Sequence, residues 1–550
     1  MAKTRGYHST MSRSTKPKLP VCLFVSVVAI LSSCAGGQST SSAASSVTTF
    51  SSSSEEQTTV EEFSLTSEAS EEQTTVETSV DEYADYQESD QEGKMLFPRG
   101  KVGQGYIGDP MPYYEDKKMY VYYLEDARNY RGAFHPISML ETEDFISYAE
   151  HDRVILFEND RNAVDYALGT GACIKAKDGT YHFYYTGHNS NSGTPLPYVE
   201  KVQHAISTDR VNWTKLDDGF YGECNDFRDP HVVYIEEKDE YWLLVSRFKN
   251  TIGTLERYVS KDLYNWTNEG TYYRNTKGYY NMECSTLINF KGYWYLAFSE
   301  QGNKRVVHYR YKKNLDDEWI VPELDYLDAE GLYAAKIAGD QDNLYLYGWC
   351  GTKSRNQDTG TLGWGGNLIG HELIQKENGE LGIKPNEKTK QAISTHYPHK
   401  TTEGELVKEL SCQQGYQALT FEPFKENRYA RMSFDYTPSS RSGVSGILLG
   451  IDEEGNGKLA YRFGSTDQTV SFHNAVTSID KLGDPDVEMP YKFVNGETYH
   501  IELYYDDQVC SLYVNGDIAL TARAYAVKNK LFALFGKDRR CTFKNIQFYE

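Results

Sequence analysis

The sequence is poor in long apolar runs. Its N-terminal run, Val21–Leu31, has eleven residues, too few for a membrane-spanning helix, which takes about 20. It is also short of positive charge: 57 Lys and Arg stand against 79 Asp and Glu, a formal charge of −22. With no basic face to neutralise phosphates, nucleic acid is excluded as a partner. The nine cysteines are scattered, without a CxxC or a Cys/His zinc spacing. Seven of them follow Cys34, an odd number, so no disulfide framework is expected and they read as small buried hydrophobes. The 13 His show no ligand spacing. There is no Gly-x-Ser-x-Gly elbow, no HExxH and no P-loop, and no metal or other cofactor is implied.

Tyrosine is abundant, at 45 copies within an aromatic content of 14%. Tyr suits pleated, half-wet surfaces, so the chain should be β-rich. A length of 550 residues allows two or more domains. The charge is uneven: residues 1–34 carry five basic side chains, residues 35–93 carry fourteen acids and no base, and the rest is left at −13. The basic start, the apolar run and Leu31-Ser32-Ser33-Cys34 read as a secretion signal ending in a lipobox-like sequence. Cys34 is then lipidated and anchors the protein to a membrane at the bacterial cell surface; ordinary signal cleavage and secretion is the alternative. Residues 35–95 are rich in Ser, Thr and Glu, and Glu55-Glu-Gln-Thr-Thr-Val-Glu61 recurs as Glu71-Glu-Gln-Thr-Thr-Val-Glu77. Such a segment buries too little to offset chain entropy and is expected to be a disordered tether.

From residue 106 a hairpin pattern recurs: a short motif opens a strand, a polar turn follows, then an aromatic-rich strand. The motifs are Gly108-Asp109-Pro110, Gly169-Thr170-Gly171, Arg228-Asp229-Pro230, Met282-Glu283-Cys284 and Glu330-Gly331-Leu332-Tyr333. The second strands are Met119–Leu124, Tyr181–Thr186, Tyr241–Phe248, Tyr293–Ser299 and Leu344–Trp349. A second marker, Ser/Thr-x-Asp-x-x-x-aromatic, stands at Thr142–Tyr148, Ser207–Trp213 and Ser260–Trp266. An all-β period with aromatic markers predicts propeller blades, five of them here; a generic sandwich with coincident hairpins is the alternative. The sequon-like Asn212-Trp-Thr and Asn265-Trp-Thr fall at the same point of the marker, which favours a role in the blade over glycosylation.

In a propeller the first strand of each blade lines the channel, so equivalent residues converge there. Asp109, Asp229 and Glu283 are expected to share that place. Glycosidic cleavage needs one carboxyl group to protonate the leaving oxygen and another to attack the anomeric carbon or activate water; a third can favour the cationic transition state. Arg228 beside Asp229 is expected to keep it ionised, and the less polar Met282-Glu283-Cys284 to favour the acid form of Glu283. Singly, each motif has a plainer reading: Asp-Pro starts turns, and Arg-Asp is a surface ion pair. Three carboxylates could also bind calcium.

These motifs resemble glycoside hydrolase family 32, the β-fructosidases (invertases, levanases, inulinases). The resemblance spans about 106–550 and implies a five-bladed propeller over 96–395 followed by a β-sandwich over 405–550. It implies Asp109 as nucleophile, Asp229 in the Arg-Asp-Pro motif, and Glu283 in the Glu-Cys motif as acid/base. Leu332-Tyr333-Ala334, Gly363-Trp364-Gly365-Gly366 and Cys510–Tyr525 also match family segments. Substrate contacts are expected from Arg228, His135, Thr170, Tyr333 and Trp349. The departures lie in the pocket: Gly108 and Met111 replace two Asn that contact fructose in the family, and Phe134-His135-Pro136 stands where His-Trp-Gly-His is frequent. The expected activity is that of a retaining hydrolase of sucrose, inulin, levan or fructo-oligosaccharides, with an oligo- or polysaccharide as its partner. An inverting arabinofuranosidase- or xylosidase-like hydrolase and a non-catalytic sugar-binding lipoprotein are the alternatives.

Overall fold

The computed structural model describes residues 94–550 except 101–105, 127–134, 250–251, 276–280, 303, 425–428, 453–454, 456 and 507. The expected signal at 1–34 with Cys34, and the expected tether up to residue 93, lie outside the described residues. The tether's expected last residue, Met95, donates its N–H to Ile146 O at 3.0 Å.

The described chain is all-β, and its first part is a series of antiparallel meanders. The first holds β1 (Tyr106–Glu115), β2 (Lys118–Asp126), β3 (Ile137–Thr142) and β4 (Ala149–Ile155). The second holds β5 (Ala167–Lys175), β6 (Tyr181–His188), β7 (Glu200–Ser207) and β8 (Thr214–Phe220). The third holds β9 (Phe227–Ile235), β10 (Glu240–Lys249), β11 (Ile252–Ser260) and β12 (Thr267–Arg274). The fourth holds β13 (Glu283–Phe290), β14 (Tyr293–Ser299) and β15 (Val307–Lys312). The fifth holds β16 (Tyr333–Gly339), β17 (Leu344–Lys353), β18 (Leu362–Gln375) and β19 (Leu381–Lys384). It joins the first at one register point, Ile107 opposite Gly366.

The second strand of each meander is buried on both faces, and alternate residues enter different cores. Tyr120, Tyr122 and Leu124 of β2 pack with Phe183 and Tyr185 of β6. Tyr184 of β6 packs with Tyr241, Leu243 and Val245 of β10. Trp242 and Leu244 of β10 pack with Trp294, Leu296 and Phe298 of β14. Tyr295 and Ala297 of β14 pack with Leu344 and Leu346 of β17. Tyr345 and Tyr347 of β17 pack with Met119, Val121 and Tyr123 of β2. The cores therefore run in a cycle from the first meander back to itself. The period-2 alternation of the strand divides its large aromatics between two neighbours, and 11 of the 45 Tyr lie on these five strands.

The recurring marker is a side-chain-capped turn. Asp209 Oδ1 accepts N–H groups from Val211 and Asn212 at 3.0 and 2.8 Å, and Asp262 Oδ1 those of Tyr264 and Asn265 at 2.9 and 2.8 Å. Asn212 and Asn265 donate their amides to the same aspartates at 2.7 and 2.8 Å. Arg210 and Leu263 take positive φ, 71° and 66°. The turn geometry thus gives a use to the aspartate and the asparagine of the marker.

Beyond residue 405 two six-stranded antiparallel sheets pack face to face. One contains Tyr429–Pro438 and Tyr499–Asp506, the other Val444–Ile451 and Leu459–Phe463. Met432 and Phe434 from the first meet Ile447, Leu449 and Phe463 from the second in a shared core. Arg523, from strand Ile518–Arg523, leaves this sandwich and enters the fifth meander. It donates to Gly351 O, Asn367 Oδ1 and Cys350 O at 2.9, 2.8 and 2.6 Å.

Candidate active site

The motif that opens each first strand sits at a break in register. The breaks fall between Gly108 and Met111, Gly169 and Gly171, Arg228 and His231, Glu283 and Thr286, and Tyr333 and Lys336. A bulge sets an extra residue against the partner strand and re-aims a side chain. The backbone turns left-handed there: Asp109, Asp229, Cys284 and Ala334 have φ of 39°, 56°, 52° and 50°. Aspartate tolerates this region better than most residues, and Pro110 and Pro230 need no ladder donor.

The register corrects one expectation. Gly108, Arg228, Glu283 and Tyr333 are the last paired residues before each break. Glu283 is therefore equivalent to Arg228, and the residue equivalent to Asp109 and Asp229 is Cys284. Glu283 reaches the same cavity from one position earlier.

That cavity, of about 400 Å³, is lined by Asp109, Asp229, Glu283, Arg228, Thr170 and Tyr333, with His135 and Trp364 among its walls. Asp109 receives Trp349 Nε1–H at 3.0 Å on Oδ1 and the Thr170 hydroxyl at 3.3 Å on Oδ2. Asp229 Oδ2 receives the Cys284 N–H at 3.0 Å. Glu283 Oε1 accepts from Arg228 Nη2 at 3.1 Å, Asn281 Nδ2 at 2.9 Å and Gln301 Nε2 at 3.0 Å. The Tyr333 hydroxyl donates to Glu283 Oε2 at 2.7 Å. The less polar setting expected for Glu283 is thus not found: four donors surround it.

Burial, followed by the charge of Asp229, pushes the Asp109 carboxyl up to about 7, against the bonds from Trp349 and Thr170. Asp229 is pushed up to about 6 by burial, which outweighs the opposing pull of Arg228. Arg228 favours the ionised form of Asp229, the direction expected of it, but burial is the larger influence and leaves the group above the ordinary carboxylate range. Lys336 is buried behind the site, donates to Gly171 O at 2.9 Å, and is lowered to about 8 by burial, with Asp229 and Asp109 resisting.

Arg228 also holds Asp226 at 2.8 Å. His135 stands at φ 28°, with its ring 4.2 Å from that of Trp364. Trp349 is fully buried and lies behind Asp109, so its expected contact with substrate becomes a contact with the carboxylate. Asn281, Gln301, Arg305, Lys336 and the wall role of Trp364 are not found by motif reading. Arg305 places its guanidinium 3.9 Å from the Tyr333 ring; no repeated motif marks it. Among the described residues, no group of three or more His, Cys, Asp or Glu is placed to hold a metal ion.

The arrangement offers carboxyl groups of different surroundings around one concavity, as hydrolysis of a glycosidic bond requires. Solved structures share the fold. The GH32 β-fructofuranosidase of Bombyx mori superposes with a TM-score of 0.63 at 17% identity, covering 83% of this chain and 93% of its own. For the exo-inulinase of Aspergillus awamori the values are 0.64, 13%, 83% and 97%, and for the fructan 1-exohydrolase IIa of Cichorium intybus 0.63, 13%, 84% and 98%. No curated protein sequence matches the chain. The model of the N-terminal domain of glycosyl hydrolases family 32 matches residues 101–385. That stretch takes in every first-strand motif and both walls of the cavity, and a match over more than half the sequence makes this chain a member of glycosyl hydrolases family 32, and so a glycoside hydrolase.

Proposed function

We propose that this enzyme is a retaining fructosidase that releases fructose from sucrose, inulin, levan or fructo-oligosaccharides. The observation that carries the reading is the placement of Asp109 and Glu283 on one cavity in unlike settings. Asp109 is held from behind by Trp349 and Thr170, and Glu283 sits among four donors. In the first step an Asp109 oxygen forms a bond to the anomeric carbon, the glycosidic bond breaks, and its oxygen takes the proton of Glu283. In the second, Glu283 takes a proton from water, whose oxygen displaces Asp109 and restores the free carboxylate. Asp229, with Oδ2 fixed by Cys284, offers Oδ1 to sugar hydroxyls and stabilises positive charge at the ring. Arg228 and Tyr333 hold Glu283.

The cyclic run of cores supports reading the five meanders as five propeller blades, with first strands lining the channel. The domain reading is a catalytic propeller over 96–395 and a supporting sandwich over 405–550. The lipobox-like Leu31–Cys34 supports an anchored enzyme whose acidic tether holds it off the bacterial surface, where polymeric sugar arrives.

A panel of fructans, arabinans and xylans, assayed with residues 95–550, tests the substrate. Fructose release with retained anomeric configuration by NMR is expected. Asp109→Asn and Glu283→Gln should each lose about 10³-fold or more in kcat. Turnover of arabinosides but of no fructoside, or full activity in both variants, would overturn the reading.

A further inference from the structure

Position 108 carries no side chain, and the space beside it is taken. A Cβ built on Gly108 would lie 2.2 Å from both Cζ2 and Cη2 of Trp364. No real Cβ approaches an aromatic ring so closely, so the ring and the missing side chain are one feature of the site. Trp364 lies in β18, where the single pairing of Ile107 with Gly366 brings β18 against β1. Gly365, at φ 73°, turns the backbone between them. The indole is flanked by two rings. The His135 ring packs on one side at 4.2 Å and the Trp349 ring lies at 6.2 Å.

The consequence is chemical. The residue before Asp109 offers no side-chain hydrogen-bonding group, and the space beside it is filled by the indole of Trp364. An aromatic face binds the C–H face of a ring and reads shape, whereas an amide reads hydroxyl positions. We propose that Trp364 is the specificity-determining residue of this site: its indole, admitted by Gly108, packs on the sugar unit whose anomeric carbon Asp109 attacks. This deepens the reading above and rests on its assignment of Asp109.

A double-mutant cycle tests it. Trp364→Ala should raise KM at least tenfold with little change in kcat and an unmoved acid limb of kcat/KM, and Trp364→Phe should recover most of the loss. Gly108→Ala alone should cost at least 100-fold in kcat/KM and lower the melting temperature. In the Trp364→Ala background the same Gly108→Ala change should cost less than about twofold in kcat/KM and leave the melting temperature unmoved. A Gly108→Ala loss that persists without the indole would overturn the proposal, because the glycine would then serve the backbone at Asp109 alone. An unchanged KM in Trp364→Ala would overturn it as well. If the panel shows arabinoside in place of fructoside turnover, the proposed substrate fails, while the same cycle read on the arabinoside still decides the role of Trp364.

Discussion

Asp109 is held between opposed influences. Burial and the neighbouring carboxylates favour its protonated form, while the Trp349 and Thr170 donors favour its charge. A nucleophile must be ionised, so kcat/KM should fall on the acid side near the value of about 7 that this balance sets. Trp349→Phe keeps most of the buried ring volume and removes the Nε1 donor to Oδ1. A donor to a carboxylate lowers its pKa, so its loss raises it, and less Asp109 is ionised at any pH below the midpoint. The acid limb should move up by about 1 on the pH scale, given the strength of hydrogen bonds to charged groups. The variant should then lose more activity at pH 5.5 than at pH 8. A limb that stays in place, or moves down, in the measured pH–rate profile would show that Trp349 does not act through this bond.

At the scale of the strand and its turn, the aspartate markers are structural. Asp209→Ala or Asp262→Ala removes the acceptor of two backbone N–H groups and of an asparagine amide. Each should cost about 1 kcal/mol of stability, as loss of a local cap does, with kcat/KM unchanged. Urea unfolding read beside activity checks this, and a change in kcat/KM would place these turns in the catalytic machinery instead. The markers were legible because their geometry needs Asp and Asn at fixed offsets. The hairpins were legible because Gly and polar turns punctuate aromatic strands. The bulge was not, since register depends on which partner residue is skipped, and so motif order alone sets Glu283 one place late. Gln301 and Arg305 escaped for a related reason: they lie in the segment between β14 and β15, which repeats nowhere else, and only the fold carries it to Glu283 and Tyr333.

At the scale of the molecule, the sandwich is more than an appendage. Tyr504, Val509, Tyr513 and Ala519 share a core with Leu344, Leu346 and Ile369 of the fifth meander. Thr521 gives its N–H and hydroxyl to Asp328 at 2.8 and 2.6 Å. Arg523, 1% exposed, bonds the carbonyl of Cys350, the neighbour of Trp349, and through it braces the strand that holds Asp109. Interfaces this apolar and this satisfied make two parts unfold together. Arg523→Met would fill much of the space but leave Gly351 O, Cys350 O and Asn367 Oδ1 short of a donor. Buried acceptors without partners cost roughly 1–3 kcal/mol each, so the loss should be on the order of 3 kcal/mol or more. Scanning calorimetry should give one transition for residues 95–550, and a single transition several degrees lower for Arg523→Met. The variant's acid limb should rise in the same direction as in Trp349→Phe, because the strand behind Asp109 loosens. Two separate transitions in the unsubstituted enzyme, or an Arg523→Met protein as stable as its parent, would mean that the propeller-like part holds Trp349 in place without the sandwich.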